Sequence, residues 1–278
     1  MPELPEVEVV GRGVSQAFVG RSLTGVVRRC EQLRWPVPAD LLACIGTGAV
    51  LQTVVRRGKY LLLGFERGTV LLHLGMSGSL LHLPADTPAR RHDHLDLVFG
   101  ERLLRLHDPR RFGAVLWSAE GVQATQANHP LLMHLGVEPL TPAFTAARFF
   151  RASRGRSVAI KQYILSGQVV IGVGNIYVSE SLFRARIHPA TPAGALTETQ
   201  CRRLVREIRT TLTDAIAAGG SSLKDFVDSR GEGGYFQLQH RVYGRANLPC
   251  LVCGTSVMQI RQQGRSTFFC PKCQPLIG

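Results

Sequence analysis

Four cysteines near the end of the chain constrain its fold more than any other feature. They fall as Cys250-x2-Cys253 and, sixteen residues on, Cys270-x2-Cys273. Two such pairs offer four thiolates at the spacing of a tetrahedral zinc site. The glycine-containing stretch between them suits a small β-hairpin with a knuckle at each end. Cys30, Cys44 and Cys201 match no such pattern and read as small buried hydrophobes. No disulfide framework emerges, so a reducing compartment is expected.

The remaining composition narrows the partner. With 278 residues the chain can bury a real core, as one large or two moderate domains. No run approaches the roughly 18 apolar residues of a membrane span, and no apolar leader follows the acidic start. Net charge is +13 and the isoelectric point is about 10.1. That balance suits an anionic polymer, most economically nucleic acid. No basic amphipathic helix argues for a membrane surface. Only Lys59, Lys161, Lys224 and Lys272 are lysines among 33 basic residues. Lysine can surrender a proton in catalysis and arginine effectively cannot, so each retained lysine is a candidate for chemistry.

The chain opens Met1-Pro2-Glu3. Removal of Met1 would leave a secondary amine beside a carboxylate. An α-amino group titrates near roughly 7.7–8.0, against about 10.4 for lysine, so part of it is unprotonated at neutral pH. Such an amine can attack an aldehyde-like carbon and form an iminium, an electron sink. Glu3 is the nearest proton donor or acceptor. Taken alone, the dipeptide reads first as an ordinary chain start, with Glu3 favouring the helix that follows.

Residues 5–18 carry a helical pattern with Pro5 in the first turn and Val7, Val10, Val14 and Phe18 on one face, closed by Gly20. The positive end of that helix faces any chemistry at the terminus. Residues 21–118 read as β-rich, with apolar runs at 49–55, 60–65, 70–74, 94–99 and 114–117 and a hairpin loop at 66–68. Residues 130–142 form a connector. Helical patterning follows, with a short helix over 176–184 after the bend Gly172-Val173-Gly174-Asn175. A longer helix follows the capping box Thr197-x-x-Gln200, with Leu204, Ile208, Leu212 and Ile216 on one face. Gly219-Gly220 ends it, and residues 229–237 read as a loop. The expected class is α+β: an N-terminal helix with a β-sandwich, a helical domain and a β-hairpin zinc finger. Expected domains are residues 1–135, 136–232 and 240–275.

Several motifs in fixed order carry a family resemblance. They are Pro2-Glu3-Leu4-Pro5-Glu6-Val7-Glu8, Gly58-Lys59-Tyr60, His73-Leu74-Gly75-Met76-Ser77-Gly78 and His92-Asp93-His94. Asp108-Pro109-Arg110-Arg111-Phe112-Gly113, the 172–177 bend with Glu180, and the four cysteines complete the set. Over essentially its whole length the chain resembles the formamidopyrimidine-DNA glycosylase family. The resemblance implies a β-sandwich, a helix–two-turn–helix domain and a finger with one structural zinc ion. It also implies a bifunctional glycosylase and abasic-site lyase for oxidised purines in duplex DNA, acting through β- and δ-elimination.

By that resemblance Pro2 is the nucleophile and Glu3 supplies or relays a proton. Lys59 contacts phosphate and moves a proton during elimination, and Arg265 assists at phosphate. Guanidinium is a poor acid, so Arg265 is better read as a clamp. The resemblance makes His73 and His92 DNA contacts; the short basic run Arg154 and Arg156 is expected to touch phosphate, and Asn175 lies in the glycine-rich bend, where backbone and amide donors can reach phosphate. Met76, Arg110 and Phe112 match the group that fills the space left by an extruded base. Without the resemblance, Met76 and Phe112 would read as core. Lys161 and Glu180 match positions near the base pocket, with a salt-bridged structural role as the alternative. Of Glu6 and Glu8, one orders the site and the other is a solvated helix face. His73, His92, His94 and His107 with Asp93, Asp96 and Asp108 make no compelling metal set, although His92 and His94 are expected on one strand face.

Two departures from the family pattern stand out: Ser166-Gly167-Gln168 where an acidic residue is common, and Arg230 in the loop over the base. Two alternatives remain. One is an endonuclease-VIII-like glycosylase for oxidised pyrimidines, against which Leu4 and Arg110-Arg111-Phe112 argue. The other is a zinc-finger DNA-binding protein without catalysis. A monomer is expected, in the bacterial cytoplasm and associated with the nucleoid through DNA, with no membrane contact.

Overall fold

The computed structural model describes residues 2–221 and 239–276. They form two compact units: 2–133 with 218–221, and 134–217 with 239–276.

The first unit begins with α1 (Leu4–Phe18), whose Val7, Val10, Val14 and Phe18 are all buried as the 3.6-residue spacing requires. Two antiparallel four-stranded sheets follow. One has the order β1 (Gly25–Arg28), β6 (Asp93–Phe99), β7 (Arg102–His107), β5 (Ser79–Pro84). The other runs β2 (Thr53–Arg57), β3 (Tyr60–Phe65), β4 (Gly68–His73), β8 (Ala114–Ser118). Alternate residues of both sheets share one core with α1: Leu61, Leu63 and Phe65 from β3, Leu95, Leu97 and Phe99 from β6, Leu104 and Leu106 from β7. This is the expected sandwich. Leu62 and Leu71 are also fully buried, on the face of their sheet that α3 (Val122–Asn128) packs against. β3 therefore reads as an unbroken apolar run.

Several local expectations shift. The 49–55 run becomes a strand only from Thr53, because Val50 pairs in isolation with Ser22. Strands β1, β5 and β7 and the short α2 (Leu41–Ile45) lacked a strong sequence pattern; β7 alternates Arg102 and Arg105 among leucines. His92 does not share a strand face with His94. It precedes β6 with φ 73°, in the left-handed region. Cys201 is buried as expected, whereas Cys30 and Cys44 are only half-buried.

The second unit contains α4 (Ala146–Ser153), α5 (Ile160–Leu165), α6 (Asn175–Arg184) and α7 (Glu198–Ala217). The capping box forms: Gln200 Oε1 accepts from Thr197 N at 2.8 Å, and Thr197 Oγ1 accepts from Gln200 N at 3.2 Å. Leu204, Ile208 and Leu212 are buried, but Ala215 completes that face and Ile216 is half-exposed. Between α5 and α6 the chain makes the two turns, through Gly167 (φ 72°) and Gly172 (φ 80°), without the acidic residue of the family pattern. Residues 176–183 of α6 are buried all round, so this helix is the hub of the unit. The finger hairpin pairs β9 (Met258–Gln262) with β10 (Arg265–Phe269), and Phe183 of α6 packs with Val242, Val257 and Phe268. No helix among the described residues is long and apolar enough to cross a membrane.

Candidate active site and DNA-contact surfaces

Pro2 is buried at the mouth of α1. The segment is held by a reciprocal capping box. The Glu3 side chain accepts from Glu6 N, and Glu6 Oε2 accepts from Glu3 N at 2.8 Å. Glu6 Oε1 also accepts from Ser221 N at 2.8 Å, and Glu6 is only 2% exposed. Glu6 is thus the acid that orders the terminus, with both oxygens engaged in charge-assisted bonds. The approach of the returning chain is close: a Cβ on Gly220 (φ 84°) would lie 3.1 Å from Glu6 Oε1.

Glu8 is not a bare solvated face. Its carboxylate takes Arg12 Nε at 2.9 Å and Arg56 Nε at 2.7 Å. Burial opposes its ionisation, but the hydrogen bond and charge of Arg56, then those of Arg12, hold its carboxyl below the usual range.

Lys59 occupies the two-residue turn Gly58-Lys59 between β2 and β3, with Gly58 at φ 59°. Its charge reaches His73, whose ring packs on Tyr60 at 4.7 Å. Burial, then Lys59 and Arg34, push His73 down to about 4. Its Nδ1 accepts from Gly75 N at 2.9 Å, so the neutral ring carries its proton on Nε2 and presents one donor. That suits contact with phosphate. His92 lies half-buried among Arg91, His107, His94 and Arg111.

Met76 and Phe112 are 39% and 44% exposed, which removes the core reading. Their loops are locked together. Asp108, fully buried, accepts from Ser77 Oγ at 2.8 Å and from Gly113 N at 2.7 Å, and a Cβ on Gly75 would lie 2.4 Å from the Phe112 carbonyl carbon. The Arg110 guanidinium lies over the Phe112 ring at 5.0 Å. An apolar wedge and a fork of donors therefore project from a rigid base. Sequence reasoning named Asp108 in its motif and as a rejected metal ligand but not as the lock of the two loops, although an acid opening an Asp-Pro-x-x-x-Gly loop is a turn signal.

A second clamp was also missed. Arg105, almost fully buried, grips both oxygens of Asp96 at 2.8 and 2.9 Å and the carbonyls of Thr87 and Pro88 at 3.0 Å. Asp93 lies 3.4 Å away and takes His107 Nδ1 at 2.7 Å. Asp93, Asp96 and His107 belong to an ion-pair network; among the described residues only the four cysteines group as metal ligands.

In the second unit Arg154 and Arg156 are both exposed; Arg154 also donates to Leu196 O at 2.7 Å and stacks on Phe150 at 4.0 Å. Arg265 opens β10 beside the hairpin turn and is exposed. Asn175 starts α6, but its Nδ2 donates to Ser266 O at 3.0 Å, so it braces the finger. Lys161 lies away from solvent and does the same, with Nζ donating to Ser266 O at 3.0 Å and Thr267 Oγ1 at 2.5 Å. Glu180 accepts from the backbone of Arg241, Val242 and Tyr243 at 2.8–3.0 Å. Lys161 and Glu180 therefore each hold a polar staple to the residues of the finger segment.

The Sγ atoms of Cys250, Cys253, Cys270 and Cys273 all lie within 4.8 Å of one another, with near pairs at 3.5 and 3.9 Å. A tetrahedron with Zn–S of about 2.3 Å has edges of about 3.8 Å. Thr255 hydrogen bonds bring the Cys253 thiol down to about 6, while burial and the neighbouring thiols push Cys273 up to about 12. Four sulfurs in one cage can all ionise only around a cation, and the finger holds one structural zinc ion.

A zinc finger beside helices, and a buried, acid-braced chain terminus on a sandwich, define a class of DNA-processing enzyme. Family models match in sequence: the formamidopyrimidine-DNA glycosylase N-terminal domain over residues 1–115, its H2TH domain over 135–227, and the zinc finger found in FPG and IleRS over 247–276. A formamidopyrimidine-DNA glycosylase of Aromatoleum aromaticum is 56% identical over 99% of both chains. The crystal structure of MutM (Fpg) from Thermus thermophilus aligns with a TM-score of 0.88 at 39% identity, covering both chains completely. A Lactococcus lactis Fpg mutant in complex with Fapy-dG-containing DNA aligns with a TM-score of 0.91 at 32% identity, over 99% of this chain and 100% of that one. The chain belongs to the formamidopyrimidine-DNA glycosylase family. It is a DNA glycosylase of base excision repair for oxidised purines, and abasic-site lyase activity is a general property of that family.

Proposed function

We propose that Pro2, freed by removal of Met1, is the nucleophile that excises 8-oxoguanine and ring-opened purines. The observation that carries this reading is the Glu3–Glu6 capping box, which holds a buried proline at the positive end of α1. That end disfavours protonation of the amine. The amine nitrogen attacks C1′, the glycosidic bond breaks, and its electron pair leaves with the base, which takes up a proton. The amine sheds its proton, and the C1′–O4′ bond then opens, with O4′ taking up a proton, to give the iminium, which acidifies C2′–H. Loss of that proton expels the 3′ phosphate (β-elimination), and a second deprotonation expels the 5′ phosphate (δ-elimination).

Glu3 moves protons at the sugar. Lys59 and neutral His73 bind phosphate, and Lys59 assists the eliminations. His92, Arg156 and Asn175 contact the backbone, and Arg265 clamps the phosphates flanking the lesion. Met76 and Phe112 occupy the vacated stack while Arg110 bonds the orphaned base, which favours cytosine for its acceptors. A stack to be filled presupposes duplex DNA. All these residues come from one chain, which suits a monomer acting on the bacterial nucleoid. The proposed domains are 1–135, 136–232 and 240–275; the loop at 229–237, with Arg230, lies outside the described residues.

Borohydride trapping on a duplex with 8-oxoguanine opposite cytosine tests the reading. An adduct mapped to Pro2 is expected, and Pro2→Gly should impair strand cleavage while largely preserving affinity. An adduct only on a dihydrouracil duplex would move the substrate class to oxidised pyrimidines. No adduct on any lesion, with Met1 absent, would leave a binding protein.

A further inference from the structure

The chemistry proposed above needs an amine on α1 and an ammonium on the β2–β3 turn, two elements far apart in sequence. Two features join them. Gly11 lets the helix lie directly on β3: a Cβ there would stand 2.8 Å from Leu61 Cδ2. One turn nearer the terminus, Glu8 Oε2 accepts from Arg56 Nε at 2.7 Å, and the same guanidinium donates through Nη1 to Gly58 O at 3.3 Å. Gly58 O belongs to the peptide that carries Lys59. The side chains of Glu8 and Arg56 are 23% and 11% exposed, so solvent competes little for this link.

We propose that Glu8 and Arg56 are positioning residues that set the Lys59 turn against the helix bearing Pro2. Only a guanidinium serves at position 56. One nitrogen meets the carboxylate and another meets the carbonyl, a division that a lysine ammonium cannot reproduce from one point. Glu8 takes its second partner, Arg12, along its own helix, which orients the carboxylate toward β2. The inference rests on the reading of Lys59 as an elimination residue.

The test measures single-turnover strand cleavage of a preformed abasic duplex, with affinity for a non-cleavable abasic analogue and thermal melting alongside. Misplacement by a fraction of an ångström costs roughly tenfold or more in rate. Glu8→Gln and Arg56→Lys should each slow cleavage by about that factor, with affinity unchanged and melting lowered only modestly, the protein staying folded at the assay temperature. The double variant should be no slower than the worse single one. In a Lys59→Ala background, Glu8→Gln should cost nothing further. Full cleavage rates in both single variants, or an undiminished cost in the Lys59→Ala background, would overturn the inference. If Lys59→Ala alone cleaves normally, the reading of Lys59 falls, and the positioning role falls with it.

Discussion

Glu6→Gln is the most informative single-atom change in this protein. Glu6 accepts two backbone N–H groups, from Glu3 and Ser221, each at 2.8 Å, in a site 2% open to solvent. A glutamine keeps one acceptor and turns an NH2 toward the other donor. One buried N–H is then left facing a donor. Hydrogen bonds to charged groups contribute about 1.5–3 kcal/mol, and an orphaned buried donor costs a similar amount. If the amide keeps Ser221, the terminal peptide is released, and about 2–3 kcal/mol lost from the reacting geometry is a rate loss of roughly 30- to 150-fold. If it keeps Glu3, the loss falls on stability, as the segment after α7 comes free. Borohydride trapping under single-turnover conditions reads the first outcome and urea unfolding reads the second. The expected result is a loss of at least about 2 kcal/mol shared between the two assays. Wild-type trapping rate with wild-type stability would refute the role given to Glu6.

Arg105→Met should cost about 3–5 kcal/mol at neutral pH, because it strips a buried partner from Asp96 and Asp93. Burial opposes ionisation of Asp96, but Arg105 and Arg29 hold its carboxyl low, so its contribution is present above the ordinary carboxylate range and fades as pH falls. The stability gap between wild type and variant should therefore narrow below about pH 4; a gap independent of pH in urea melts would contradict this. His73 titrates near 4 when folded, against 6.5 for the unfolded reference. Its neutral burial contributes stability that is full above pH 6.5 and lost toward pH 4, so His73→Gln should flatten stability across that window. Chelation of zinc, or Cys270→Ser, should melt the finger hairpin and weaken DNA binding. Affinity unchanged after verified metal loss would show that the finger is dispensable for binding.

Much of this molecule is legible without coordinates, for reasons visible at particular residues. The four cysteines announce a metal cage because thiolates at that spacing have little other use. α1 follows from the 3.6-residue recurrence of Val7, Val10, Val14 and Phe18, and α7 from a capping box beside a regular apolar face. β7 hid because burying Arg105, which bonds Asp96 of the neighbouring β6, breaks the apolar alternation by which strands are recognised. Met76 and Phe112 were ambiguous for a related reason. Side-chain type argues for burial, and only the Asp108 lock and the Gly75 approach leave them projecting into solvent. The fate of Lys161 was likewise undecidable from local pattern, since its partners Ser266 and Thr267 lie about a hundred residues away. Residue type and local periodicity thus determine the elements, the metal cage and the reactive groups on offer. Which of two acids orders the terminus, and which distant groups a buried lysine bonds, depend on long-range contacts that exist only once the chain has folded.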